Sequence, residues 1–162
     1  MDILRTVYFS VAQSIIGYCI GVWGGAAKTH VLPLERAQRA VLRVMTFRPF
    51  GYSTSQLYSD CKVLSVRQLF VLETVTRKHA SLVFNPNFTN KRRSYKVCQN
   101  KKWKTSIASR HYGVLSSHLY NTVNRYCNIY TLLRSECKKK VSDWLMLKSY
   151  EETEGLLKIS IL

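Results

Sequence analysis

The stretch Ser65-Val66-Arg67-Gln68-Leu69-Phe70-Val71-Leu72-Glu73-Thr74-Val75 decides how this chain folds. Ser65 and Gln68 form a capping box: the serine hydroxyl serves an orphan amide of the first helical turn, and the glutamine reaches back to the serine amide. Behind the cap, Val66, Leu69, Phe70, Leu72, Val75 and Leu82 recur at helical intervals until Asn85-Pro86-Asn87 stops them. A capped amphipathic helix is therefore predicted here, and its neighbours read the same way.

Working upstream, a short helix is predicted from Thr54 to Cys61, after a turn at Pro49-Phe50-Gly51. Before that turn a longer helix spans Val31 to Thr46, with Pro33 tolerated in its first turn. Leu34, Ala37, Val41 and Met45 read as its apolar seam. Arg36, Arg39 and Arg43 fall at i, i+3 and i+7 on another face, with Arg48 just beyond. At the N-terminus Asp2 is placed to cap a helix, and Ile3, Leu4, Val7, Tyr8, Val11, Ala12, Ile15, Ile16 and Cys19 make one wide stripe. This predicts a helix from Ile3 to Trp23, stopped by Gly24-Gly25 in a left-handed turn.

No charge occurs between Arg5 and Lys28, a length that would cross a bilayer. Ser10, Gln13, Ser14 and several glycines interrupt it, and Met1 is followed by Asp2 rather than by a basic segment. A buried core helix is expected rather than a span or a signal peptide.

Downstream of Pro86 the composition changes. Lys91, Arg92, Arg93, Lys96, Lys101, Lys102 and Lys104 crowd a stretch that also holds Tyr95 and Trp103 and keeps no apolar period. It reads as a long basic loop or linker whose aromatic residues suit stacking on unpaired bases. Helical periodicity returns from Val114 to Val123. It returns again from Asn128, where Ile129, Leu132, Leu133, Val141, Trp144 and Leu145 form a seam broken by Lys138-Lys139-Lys140. Ser149 with Glu152 is a second capping box, opening a last short helix. The expected organisation is a helical domain over 1–86, a basic loop over 87–112 and a helical extension over 113–162. The expected fold is all-α, an irregular bundle of about five to seven helices.

Charge bounds the function. Lys and Arg number 25 against 9 Asp and Glu, a formal net charge of +16. Such a chain repels itself unless a polyanion neutralises it, which points to nucleic acid, with an anionic membrane surface or a solvated basic face as the alternatives. The hydrophobic share of 46% supports a core and argues against disorder throughout. Five isolated cysteines without a C-x-x-C pair fit reduced thiols and an intracellular setting, cytoplasm or nucleus. A zinc site from Cys127, Cys137 and His118 is not demanded by their spacing.

Enzyme signatures are missing from the sequence. It contains no phosphate-cradling glycine loop, no G-x-S-x-G elbow and no H-E-x-x-H helix. His30, His79, His111 and His118 are scattered and read as surface or helix-end residues. Glu151, Glu152 and Glu154 read as a solvated helix start favoured by the helix dipole. No independent catalytic centre is expected. Two basic features remain: the Arg36, Arg39, Arg43 stripe, suited to consecutive phosphates, and the segment from Lys91 to Lys104.

Several stretches in order resemble the region after the polymerase palm in jockey-like non-LTR retrotransposon reverse transcriptases. They are Leu4-Arg5-Thr6-Val7-Tyr8 with Ser14 to Gly24, then Leu34-Glu35-Arg36-Ala37-Gln38-Arg39-Ala40-Val41-Leu42-Arg43, then Leu57-Tyr58 on to Glu73. Leu119-Tyr120-Asn121 and Cys137-Lys138-Lys139-Lys140-Val141-Ser142-Asp143-Trp144-Leu145 complete the series. The chain departs from that pattern at Val123-Asn124, where leucine-proline is usual, and at Cys137, where phenylalanine is usual. The resemblance implies a thumb and C-terminal extension whose catalytic aspartates, and the Mg2+ they hold, belong to a palm upstream. It further implies contact with RNA or an RNA–DNA template-primer duplex through Arg36, Arg39 and Arg43.

Overall fold

In a computed structural model of the chain, residues 2–82, 97–98, 105 and 111–158 are described. Among them all regular structure is helical, an irregular all-α bundle as expected. The basic stretch Lys91, Arg92, Arg93, Lys101, Lys102 and Lys104 lies outside the described residues.

The central element is α6, Val66–Ala80, reached after α1 (Asp2–Val7), a π-helical turn (Tyr8–Ala12), α2 (Gln13–Gly17), α3 (Ile20–Trp23), α4 (Lys28–Thr46) and α5 (Thr54–Cys61). Its capping box forms as predicted: Gln68 N donates to Ser65 Oγ at 3.3 Å and Ser65 N to Gln68 Oε1 at 2.9 Å. Beyond that cap α6 buries almost its whole first three turns, Val66 through Leu72 and Thr74 through Thr76. A helix covered all round must sit inside a bundle. After it come α7 (Tyr112–Cys127), α8 (Arg134–Met146) and α9 (Tyr150–Leu156). Both α7 and α8 pack on α6, and one core cluster holds residues from Ile16 to Leu145. Helices on both sides of 87–112 thus share that core. A smaller cluster of Tyr8, Leu42, Met45, Leu57, Cys61 and Val63 fastens α4 and α5 to the π-helical turn.

Several sequence expectations need correction. The helix predicted from Ile3 to Trp23 is broken: Tyr18 is extended and Cys19 is left-handed, with φ 51°. The break re-aims the chain so that Ile20 and Gly21 are buried, and Trp23 Nε1 donates to the Tyr18 carbonyl at 2.8 Å. Only Tyr8, Ile16, Ile20 and Gly21 of this segment are fully buried, whereas Ile3, Val7, Val11, Ile15 and Val22 are exposed. The stripe is wider than the single core surface it meets, so the segment is not a wholly buried core helix. Among the described residues no helix is long and apolar enough to cross a membrane.

Gly24 is not left-handed either; its φ is −65°. Its role is close approach, because a Cβ there would stand 2.4 Å from Phe70 Cδ2.

The predicted seam of α4 holds at its ends, where Met45 is buried and Leu34 half-buried against the core, but not between them. Val31, Glu35, Gln38, Leu42 and Met45 are buried, while Val41 and Ala37 are exposed. Two polar residues enter the core because partners await them. Gln38 Nε2 donates to Tyr8 Oη at 2.8 Å and to the Leu64 carbonyl at 2.9 Å, and Tyr58 Oη donates to Gln38 Oε1 at 2.9 Å. Glu35 Oε2 accepts from Tyr150 Oη at 3.1 Å. Gln38 is thus paired at both ends of its amide, whereas Glu35 Oε1 is buried without a hydrogen-bond partner.

Helix α7 runs longer than predicted and ends at Asn128, left-handed with φ 46°. The residues from Asn128 to Leu133 form a turn rather than the start of a helix, since Asn124 Oδ1 accepts from the amides of Ile129 (2.9 Å) and Tyr130 (3.0 Å). The final capping box holds: Glu152 N donates to Ser149 Oγ at 3.2 Å and Ser149 N to Glu152 Oε2 at 2.8 Å.

Candidate nucleic-acid interface

The arginine stripe of α4 survives in the fold. Arg36, Arg39, Arg43 and Arg48 converge on one open groove of about 800 Å³, completed by Ala40, Val44, Phe47, Phe50 and Thr54. None of these nine residues is acidic, so the groove presents four guanidinium groups with no carboxylate in its wall.

Local structure fixes the arginines. Arg36 is exposed on α4, whereas Arg39 and Arg43 are half-buried. Arg43 Cζ stands 5.1 Å from the centroid of the Phe50 ring, and its Nη2 is 3.5 Å from the Tyr52 carbonyl. Arg43 Nε is buried with no hydrogen-bond partner. Arg48 lies over the Tyr52 ring, 4.6 Å from its centroid, and 3.9 Å from Asp60 Oδ2, a loose and exposed pair. Tyr52 Oη donates to the same Asp60 oxygen at 2.8 Å, and this bond raises the tyrosine pKa. Burial raises the pKa of Tyr58 more strongly, with the charge of Arg39 acting in the opposite direction.

The sequence pattern did not single out the two aromatic residues of this groove. Phe47 and Phe50 are 86% and 89% exposed. Phe47 caps α4 in the left-handed region, with φ 53° and ψ 34°. The signal for them was an aromatic pair straddling Arg48-Pro49 just past a helix end.

A second basic groove, of about 460 Å³, also escaped prediction. Arg5, Lys62, Lys138 and Lys139 meet there with Gln13, Ser135 and Ser142, again without an acidic residue in the wall. Its cations come from the first helix, the turn after α5 and the exposed side of α8, so no linear motif announces it. Lys138 and Lys139, which interrupt the apolar seam in sequence, acquire a shared surface only in the fold.

The remaining candidates take structural positions. Cys127 and Cys137 are buried in the main core, and burial raises both thiols, that of Cys137 to about 11. All five cysteines are free. Among the described residues no three of His, Cys, Asp and Glu are grouped to hold a metal ion. His79 is half-buried at the end of α6, its Nε2 2.9 Å from the Leu132 carbonyl and its Nδ1 2.9 Å from Tyr120 Oη. A carbonyl only accepts, so Nε2 is the donor in the bond to Leu132.

Glu154 departs from the expected solvated helix start. Its Oε1 lies 2.7 Å from Nε of Arg67, a side chain only 3% exposed that also donates to the Gly24 carbonyl at 2.8 Å. Glu151 and Glu152 are exposed as expected.

The chain matches no protein-family model, no curated protein and no solved structure.

Proposed function

We propose that this chain is a nucleic-acid-binding helical unit, the thumb and C-terminal extension of a jockey-like non-LTR reverse transcriptase. In this reading it holds an RNA or RNA–DNA template-primer and takes its chemistry from a palm elsewhere in the polymerase. One observation carries the reading: Arg36, Arg39, Arg43 and Arg48 line a single groove whose wall contains no carboxylate. Guanidinium groups so arranged exchange condensed counterions for phosphates, and their planar forks suit phosphate oxygens. The ordered resemblance of the sequence to the post-palm region supplies the polymerase context, and the net charge of +16 agrees with a polyanionic partner.

The test is binding of a fluorescent RNA–DNA duplex over a range of salt concentrations. Affinity is expected to fall linearly with salt on logarithmic axes. Replacing Arg36, Arg39 and Arg43 together with alanine should flatten the slope by up to about three phosphate contacts. Binding indifferent to salt, or none at low salt, would count against the proposal.

A second reading, a helical protein-interaction module, is favoured by the uncovered apolar side of α1 to α3, where Ile3, Ile15, Tyr18 and Val22 are all more than two-thirds exposed. A salt-insensitive protein partner lost on Ile15→Asp would support it.

A further inference from the structure

We infer that the groove at the end of α4 receives an unpaired, single-stranded segment of nucleic acid, whose bases stack on Phe47 and Phe50 while the arginines hold its phosphates. The inference rests on the reading of this groove as a nucleic-acid site and narrows the form of nucleic acid it takes.

Phe47 is the first observation. A left-handed backbone brings Cβ against the following carbonyl, which is why glycine or asparagine normally ends a helix this way. Three other residues adopt positive φ among those described, Cys19, Lys62 and Asn128. Phe47 is the one with an aromatic ring, and for a bulky residue the conformation is an outlier. Packing does not compensate for it, because the side chain is 86% exposed. A glycine would close α4 without strain, so the ring answers no need of folding. Strain held at an exposed position points to use of the side chain there.

Phe50 is the second. It is 89% exposed three residues further on, with the Arg43 guanidinium 5.1 Å from its ring centroid. That cation steadies the ring from one side and leaves most of its surface open. Both rings therefore stand out of a wall that otherwise carries Arg36, Arg39, Arg43 and Arg48.

The ligand follows from this combination. In a duplex the base faces are already stacked on one another, so protruding phenyl rings gain nothing from it. Unpaired bases offer free faces to aromatic side chains while their backbone follows a cationic groove. An acidic amphipathic helix brings apolar anchors of its own at i, i+3, i+4 and i+7 and needs a continuous apolar groove to receive them. Here a cationic side chain, Arg48, stands between the two rings in the chain, so the single strand is the better fit.

The test compares the full chain on a blunt RNA–DNA duplex and on the same duplex with a single-stranded RNA overhang of about six nucleotides, a length within the span of one binding groove. The overhang should tighten binding roughly tenfold. Phe47→Gly and Phe50→Ala should each weaken the overhang complex by about fivefold and the blunt duplex by less than about twofold. Phe47→Gly should also raise the thermal midpoint, since it relieves the left-handed strain; a lowered midpoint would make the ring structural and overturn the inference. Equal affinity for both duplexes would overturn it too, while leaving the duplex-binding proposal standing. No binding to either would remove both. An oligoglutamate peptide that displaces the overhang duplex and itself binds more tightly would reassign the groove to an acidic protein.

Discussion

Arg67 of the central helix and Glu154 of the last helix form an ion pair at 2.7 Å, with the arginine side chain 3% and the glutamate 18% exposed. The pair ties α9 to the N-terminal half, because the same guanidinium donates to the carbonyl of Gly24. Removing one partner strands a charge away from water. Glu154→Ala is expected to lower unfolding free energy by about 3 kcal/mol. The double replacement Arg67→Met with Glu154→Leu should recover part of that loss, since an apolar pair avoids the desolvation penalty while the Gly24 carbonyl loses its donor. Urea unfolding of the wild type, the single and the double variant checks both statements. A single variant within error of the wild type would mean that water reaches Arg67.

What the sequence revealed, and what it hid, divides by the range of the interactions. The Ser65–Gln68 and Ser149–Glu152 boxes are legible because each closes within one helical turn. The arginine stripe on α4 is legible because helical geometry alone sets it. The buried face of α4 is not, because the groups that bond Glu35 and Gln38 lie far off in the chain, at Tyr150, Tyr8, Tyr58 and Leu64. Two polar residues outside the predicted apolar seam enter the core only through those pairings. Phe47 was hidden for another reason: nothing in a phenylalanine announces a positive φ. The second groove gathers Arg5, Lys62, Lys138 and Lys139 from separate elements, so it exists only once the fold does.

Two glycines should respond oppositely to alanine. At Gly24 the added Cβ would stand 2.4 Å from Phe70 Cδ2 and 2.6 Å from the Ile20 carbonyl oxygen. Both neighbours are held in the core, so α3 must move off α6 to make room. The expected loss is about 1–3 kcal/mol, and it is steric, since φ at Gly24 already suits alanine. Gly155 lies inside α9, and a methyl group added there would meet nothing within 4 Å. Gly155→Ala should therefore stabilise by about 0.5–1 kcal/mol through helix propensity. Thermal unfolding of the two variants should bracket the wild type.

Glu35 should make the chain less stable as pH rises. The residue is 1% exposed, and burial raises its pKa, the Tyr150 hydrogen bond and the Arg67 charge only partly opposing this. The folded state thus holds a proton that the unfolded chain releases near pH 4.5. Stability from this group is full below that pH and is lost as pH climbs towards the raised folded value. Glu35→Gln keeps the shape and removes the charge, so it should flatten that part of the stability profile and raise stability at neutral pH. Urea midpoints between acid and neutral pH decide it; a profile unchanged by Glu35→Gln would show that the carboxylate is ionised in the fold without penalty.

Glu152 should act in the opposite direction. The Lys148 ammonium at 2.8 Å, followed by the amide and hydroxyl of Ser149, lowers its pKa to about 2. A carboxylate held below its ordinary value releases its proton more readily in the folded state. Its contribution is therefore present above about pH 4.5 and lost as pH falls towards about 2. Because the side chain is exposed, salt should weaken the Lys148 part while leaving the capping bonds in place. Glu152→Gln retains a capping acceptor and loses the charge, so it should abolish the acid-side dependence without unravelling α9. The measurement is the carbon-13 chemical shift of the Glu152 carboxyl followed through acid titration, at low and at high salt. A midpoint at the ordinary glutamate value would mean that the second capping box does not form in solution.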